Sequence, residues 1–267
     1  MSEKMSNAPV YYVIAQVRHN PVLSLGNYAP EIQERMRKAG FPDYRPTKTM
    51  VFNLMTPPTD GSTQAGGPST ETIERHTFLS MDGTRGFIVE PASFSFHTTE
   101  YDVFKVFSRD FFAGLEIVHQ CLGLDYSERV GIRYLDAVVP KGGESELKDY
   151  LAPGVLGLAG RLPSGVPIAV SLSETQIQMP DANLLSRTLI QNGPLGFPMD
   201  LAAQGLQVPE RFQKVNGVHA IIDTDASQEG RKPFDVSGLR ERLDMLHTRI
   251  RMAFDASVTE HALKMWA

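Results

Sequence analysis

The chain has 267 residues, 42% hydrophobic and 21% charged, with a formal net charge of −5. That balance fits a folded protein with a sizeable core, and its acidity argues against nucleic acid or anionic lipid as a partner. The single cysteine, Cys121, excludes an internal disulfide and fits a reducing compartment.

Residues 1–9 are polar and lack the apolar core of a leader, and no run approaches the roughly 18 apolar residues of a spanning helix. A cytoplasmic protein away from membranes is therefore expected. The first strand is predicted over residues 10–19, with Tyr11, Val13, Ala15 and Val17 on one face and Tyr12, Ile14, Gln16 and Arg18 on the other. A short helix follows at 28–39, where Pro30 fits a first turn and Gly40 an exit. A second strand is expected at 48–55. Residues 56–72 hold Pro, Gly, Ser and Thr with few apolar side chains, and read as a mobile surface loop.

Asp82-Gly83 marks a hairpin between arms at 74–81 and 84–90, with a short strand at 94–97. A long helix is predicted from about Glu100, with Thr99 as N-cap and Asp102 completing a capping box. Its stripe is Phe104, Phe107, Phe111, Leu115, Val118 and Leu122, and Gly123 ends it. Gly114 inside it points to close packing against another backbone. Further strands are expected at 129–139, 168–179, 184–192 and 217–225, with a short helical stretch at 144–151 and a Pro/Gly-containing crossing at 193–216. After a polar loop comes a final helix with the stripe Leu239, Leu243, Leu246, Ile250 and Phe254, and Ser257 or Thr259 is placed to cap a last turn.

Each long helix carries the same five-residue pattern, Leu115-Glu116-Ile117-Val118-His119 and Leu243-Asp244-Met245-Leu246-His247. The order strand, short helix, strands, long helix thus runs twice, over 9–123 and 127–267. The fold class expected is α+β, with two similar halves, ferredoxin-like or related, whose antiparallel sheets are covered by helices. The junction at 124–128 is too short for a free linker, so one body with an internal pseudo-repeat is expected.

Two constellations could carry chemistry. The Glu116/His119 and Asp244/His247 pairs resemble half of a di-iron motif, but only two long helices exist and no matching glutamates accompany them, so no metal is assigned. Strand alternation puts His219, Ile221, Asp223 and Asp225 on one face, and with Asp136 the two aspartates could hold Mg²⁺ as catalytic ligands for phosphoryl chemistry. The competing expectation is a structural pair, Arg133 with Asp223 across the sheet. Arg240, His247 and Arg251 fall on similar azimuths of the last helix and form the candidate binding residues. Phosphate loops, dinucleotide fingerprints, zinc spacings and nucleophile elbows are absent from the sequence.

The segments Val10-Tyr11-Tyr12-Val13-Ile14-Ala15-Gln16-Val17-Arg18, Arg129-Val130-Gly131-Ile132-Arg133-Tyr134-Leu135-Asp136 and Leu243-Asp244-Met245-Leu246-His247, followed by Phe254, resemble a sporadically distributed bacterial protein family of about this length with no established function. The resemblance spans nearly the whole chain, although the position of Asp136 is often asparagine in that family. It implies a cytoplasmic, accessory bacterial protein, linked to defence or a mobile element, and it supplies no catalytic residue.

The function expected is a non-catalytic binding or assembly module that contacts another protein, with no cofactor. A metal-dependent enzyme acting on a nucleotide or phosphodiester is the alternative. A homodimer is left open.

Overall fold

In the computed structural model, which describes residues 5–53, 69–140, 146–163, 165–201 and 205–267, every named strand joins one antiparallel sheet. In chain order the elements are β1 (Val10–His19), α1 (Leu25–Lys38), β2 (Asp43–Asn53), β3 (Ser69–Leu79), β4 (Arg85–Glu90), β5 (Ser93–Thr98) and α2 (Phe104–Leu122). Then come β6 (Tyr126–Val138), the one-turn helices α3 (Leu147–Tyr150) and α4 (Pro153–Leu156), β7 (Val170–Gln178) and β8 (Asn183–Pro194). The chain ends with α5 (Glu210–Gln213), β9 (Asn216–Pro233), α6 (Val236–Ser257) and α7 (Glu260–Trp266).

The sheet order is β2-β3-β4-β5-β1-β6-β9-β8-β7. This overturns the expectation of two ferredoxin-like halves with their own helix-covered sheets. β1 pairs with β6 on one side and β5 on the other, and β6 pairs in turn with β9. An unpaired strand edge exposes a row of backbone donors and acceptors. Joining β1 to β6 satisfies both central edges at once, so the two strand sets fuse into nine strands. Among the described residues only β2 and β7 remain at the edges.

α1, α2 and α6 pack on one face of this sheet, and α2 and α6 touch each other. Their apolar stripes meet Val13, Ala15, Val17, Phe87, Phe94, Phe96, Val130 and Ile132 in the main core. At the far end Val138, Ile222, Phe254 and Trp266 make a second cluster with α3 and α7. On the opposite face Tyr11, Tyr12, Leu135 and Ile221 are capped by Leu206 and Phe212 from the crossing after β8. Tyr11 was expected beside Val13. A register shift between Val10 and Tyr12 inserts one extra residue, and both tyrosines enter the same layer.

Several boundaries also move. α1 starts at Leu25, before Tyr28, so Pro30 lies inside the helix beyond its first turn. α2 starts at Phe104 with Val103 as its N-cap, and Thr99, whose hydroxyl donates to the carbonyl of Gln207, does not cap it. Gly114 is required by the Phe87 ring, not by a backbone: a Cβ there would stand 2.6 Å from Phe87 Cζ. The polar segment expected to follow residue 225 is the continuation of β9 to Pro233, paired with the first half of β6. Of the loop expected at 56–72, residues 56–68 lie outside the described residues, and 69–72 belong to β3. Among the described residues no helix is long and apolar enough to cross a membrane.

Candidate functional site

The sheet carboxylates divide between the two faces. On β6, Ile132 and Tyr134 face the helices, while Leu135 and Ala137 face the opposite layer. Alternation then puts Asp136 on the helix side and Arg133 on the other. Asp223 and Asp225 share Arg133's face, since Ile221 on the same alternation belongs to the opposite layer. The three aspartates therefore do not converge on one cation.

Asp223 is enclosed by guanidinium groups. Arg133 donates to it from Nε at 2.7 Å and from Nη2 at 2.8 Å, and Arg187 donates to it at 3.4 Å. Arg133 also reaches Asp200 at 2.8 and 3.1 Å. Asp225 sits 3.8 Å from Arg129, and burial pushes its carboxyl above the usual range against the pull of Arg129 and Arg133. His219 is buried and bonded through Nε2 to Gln191 and through Nδ1 to the carbonyl of Gly217. This is an ionic ladder across β6, β9 and β8, with each carboxylate facing arginine.

The repeated helix segments meet in a reciprocal way. His247 on α6 stacks on Phe104, the first residue of α2, with ring centroids 3.9 Å apart and planes 6° from parallel. His119 on α2 stacks on Phe234, two residues before α6, at 4.4 Å. His119 Nδ1 also accepts from the Leu124 amide. Glu116 and Asp244 are exposed, and among the described residues no group of three His, Cys, Asp or Glu side chains could hold a metal ion.

Beside the His247 stack lies a cavity of about 140 Å³, lined among others by Tyr101, Phe104, Tyr134, Asp136, His247 and Arg251. Asp136 is 6% exposed. Burial drives its carboxyl up to about 7, against the opposing pull of Arg251. Burial likewise holds His247 down to about 4, helped by the positive charge of Arg251. Tyr134 donates its hydroxyl to the Tyr101 oxygen at 3.1 Å, and burial raises both phenols. Arg251 itself is engaged by Asp255, Nε to Oδ1 at 2.8 Å.

Of the three candidate binding residues, His247 and Arg251 thus share this cavity. Arg240 lies one step along α6 in a shallow groove with Lys105, Ser108, Asp244 and His247, its guanidinium 4.2 Å over the Phe112 ring. Tyr101 and Tyr134 were not singled out by sequence, and Asp136 was grouped with the wrong partners. The available signal was its place in the apolar alternation Val130, Ile132, Tyr134, Asp136, Val138, where a charged residue marks a buried carboxyl. Comparison with protein families, curated proteins and solved structures finds no match to this chain.

Proposed function

We propose that the protein is a non-catalytic binding or assembly module, a cytoplasmic accessory protein of the bacterial kind its sequence resembles. The single observation that carries this reading is the state of the sheet carboxylates: Asp223 is saturated by Arg133 and Arg187, and Asp136 faces away on the other side. A phosphoryl-transfer site needs neighbouring carboxylates that share a cation, and arginine occupies that place here.

The partner surface in this reading is the groove between the start of α2 and α6. Lys105 and Arg240 supply positive charge there, and Arg240 has no ion pair among the described residues. An acidic protein surface is the matching chemistry. The same reading takes the two halves as an internal duplication, supported by the mirrored His–Phe stacks and by the central β1/β6 pair.

Affinity capture from the source organism with the wild type and with Arg240→Glu tests it. A protein retained in stoichiometric amount by the wild type and lost from the variant is the expected result. Metal-dependent turnover of a nucleotide or phosphodiester, abolished by Asp223→Ala, would refute it.

A further inference from the structure

We propose that the cavity between the start of α2 and the face of α6 is a binding site for a small primary amine, anchored by the Asp136 carboxylate. The inference is independent of the partner groove, although His247 borders both.

Three observations carry it. Asp136 is more than nine-tenths buried, lines the cavity, and has no hydrogen-bond partner among the described residues. A buried carboxylate without a donor is costly, and proteins ordinarily pair such groups. The cationic neighbour, Arg251, is held by Asp255 at 2.8 and 3.0 Å and makes no hydrogen bond to Asp136. A donor from outside therefore has an open acceptor to meet.

The walls select the rest of the ligand. Tyr101, Phe104, Tyr134 and Phe254 surround the carboxylate with rings, and an ammonium group is attracted to aromatic faces as well as to a carboxylate. The Tyr134 hydroxyl proton is committed to the Tyr101 oxygen, so Tyr134 does not compete for the carboxylate. A volume of about 140 Å³ is close to the roughly 150 Å³ that admits a benzene ring. The ligand is therefore an ammonium on a short apolar or aromatic stem. His247 is uncharged near neutrality, because its imidazole is held down to about 4, so it does not repel that cation.

The test is calorimetric titration of the full chain at pH 8 with benzylamine, benzyl alcohol and benzoate. Benzylamine is expected to bind at one site, and Asp136→Asn to weaken it more than about tenfold, the loss of one charge-assisted bond. Wild-type protein alone gives a second measurement. Of the titratable groups facing the cavity, Tyr101, Tyr134 and His247 stay neutral from pH 5.5 to 8, the Arg251 guanidinium is paired with Asp255, and Asp102 is exposed at the rim. Asp136 loses its charge over that interval, so affinity should also fall about tenfold or more at pH 5.5. Absence of benzylamine binding, equal binding to Asp136→Asn, equal affinity at the two pH values, or tighter binding of benzyl alcohol or benzoate would each overturn the proposal.

Discussion

Removing the Asp223 carboxylate should destabilise the sheet strongly, and removing Arg133 with it should not. The Arg133 side chain is 11% exposed and that of Asp223 6%, and two short hydrogen bonds join them. Breaking a buried pair on one side leaves an uncompensated charge and costs about 3–5 kcal/mol. Arg133 keeps Asp200 as a second acceptor and Arg187 keeps Glu174, which puts Asp223→Ala near the lower end, about 3 kcal/mol. Arg133→Met strands Asp223 with only the longer contact to Arg187, and is expected to cost a similar amount. In the double variant Arg133→Met/Asp223→Leu the new side chains sit beside Leu135 and Ile221, and stability should return to within about 1 kcal/mol of wild type. Asp200 is then left unpaired, but it is half-exposed and can be hydrated. Urea unfolding at constant m-value measures all four proteins. A double variant as unstable as the two single losses added together would show that the pair is not an isolated structural unit, and the ionic-ladder account of this face would fail.

Other expectations follow from the same geometry. The folded protein holds a proton on Asp136 that the unfolded chain has already released, because the carboxyl is raised from 3.8 to about 7. Its contribution is fully present below about pH 4 and is lost as pH rises through 7; the shift corresponds to at most about 4 kcal/mol, reduced to roughly 2 by water reaching the cavity. Asp136→Asn should therefore be more stable than wild type at pH 8, and equilibrium unfolding at pH 5 and 8 should show a flatter profile; parallel profiles would contradict the assignment. His247 behaves with the opposite sign: held down to about 4, it stabilises above pH 6.5 and loses that contribution as pH falls toward 4. His247→Phe keeps a ring over Phe104 and should shrink the acid-side loss, whereas His247→Ala should also lose the stack, about 1 kcal/mol. Gly114→Ala gains helix propensity of up to ~1 kcal/mol but drives a methyl into the Phe87 ring. A net destabilisation of about 1–2 kcal/mol is expected, visible as a lower thermal midpoint.

What was legible in the chain tracks what is local. The stripes of α2 and α6 depend only on helical spacing, and Phe107, Phe111, Leu115, Val118, Leu239, Leu243, Leu246, Ile250 and Phe254 are all buried. The Asp82-Gly83 turn depends on four residues: Gly83 takes φ +66° and Asp82 Oδ1 accepts from Thr84 N and from the Ser80 hydroxyl. The edge-to-edge union of β1 and β6 is different in kind. It is a choice among pairings more than a hundred residues apart in sequence, and no local pattern distinguishes a shared sheet from two separate ones. The same holds for residues 228–233, which are polar because they reach the exposed end of the sheet, yet are strand because β6 lies beside them. At the site, alternation correctly placed Asp223 and Asp225 on one face. It failed at Asp136 because the face of β6 relative to β9 is set by pairing register, which one strand's sequence does not contain.

The reciprocal stacks bear on how the cavity can act. Phe104 opens α2 and rests on His247 of α6, while Phe234 leads into α6 and rests on His119 of α2. Each long helix thus holds the entrance of the other, and a rotation of α6 about its axis has to break the His247–Phe104 contact. Asp136 and Tyr134 come from β6, Tyr101 and Phe104 from the entry to α2, and His247 and Arg251 from α6. A group seated on Asp136 therefore touches β6 and the two helices that these stacks hold together. Occupancy adds free energy to that arrangement over any in which α2 and α6 separate, since a ligand that binds one state better stabilises that state. The groove with Arg240 is built from the same two helices, so cavity and groove are mechanically one unit, joined at His247.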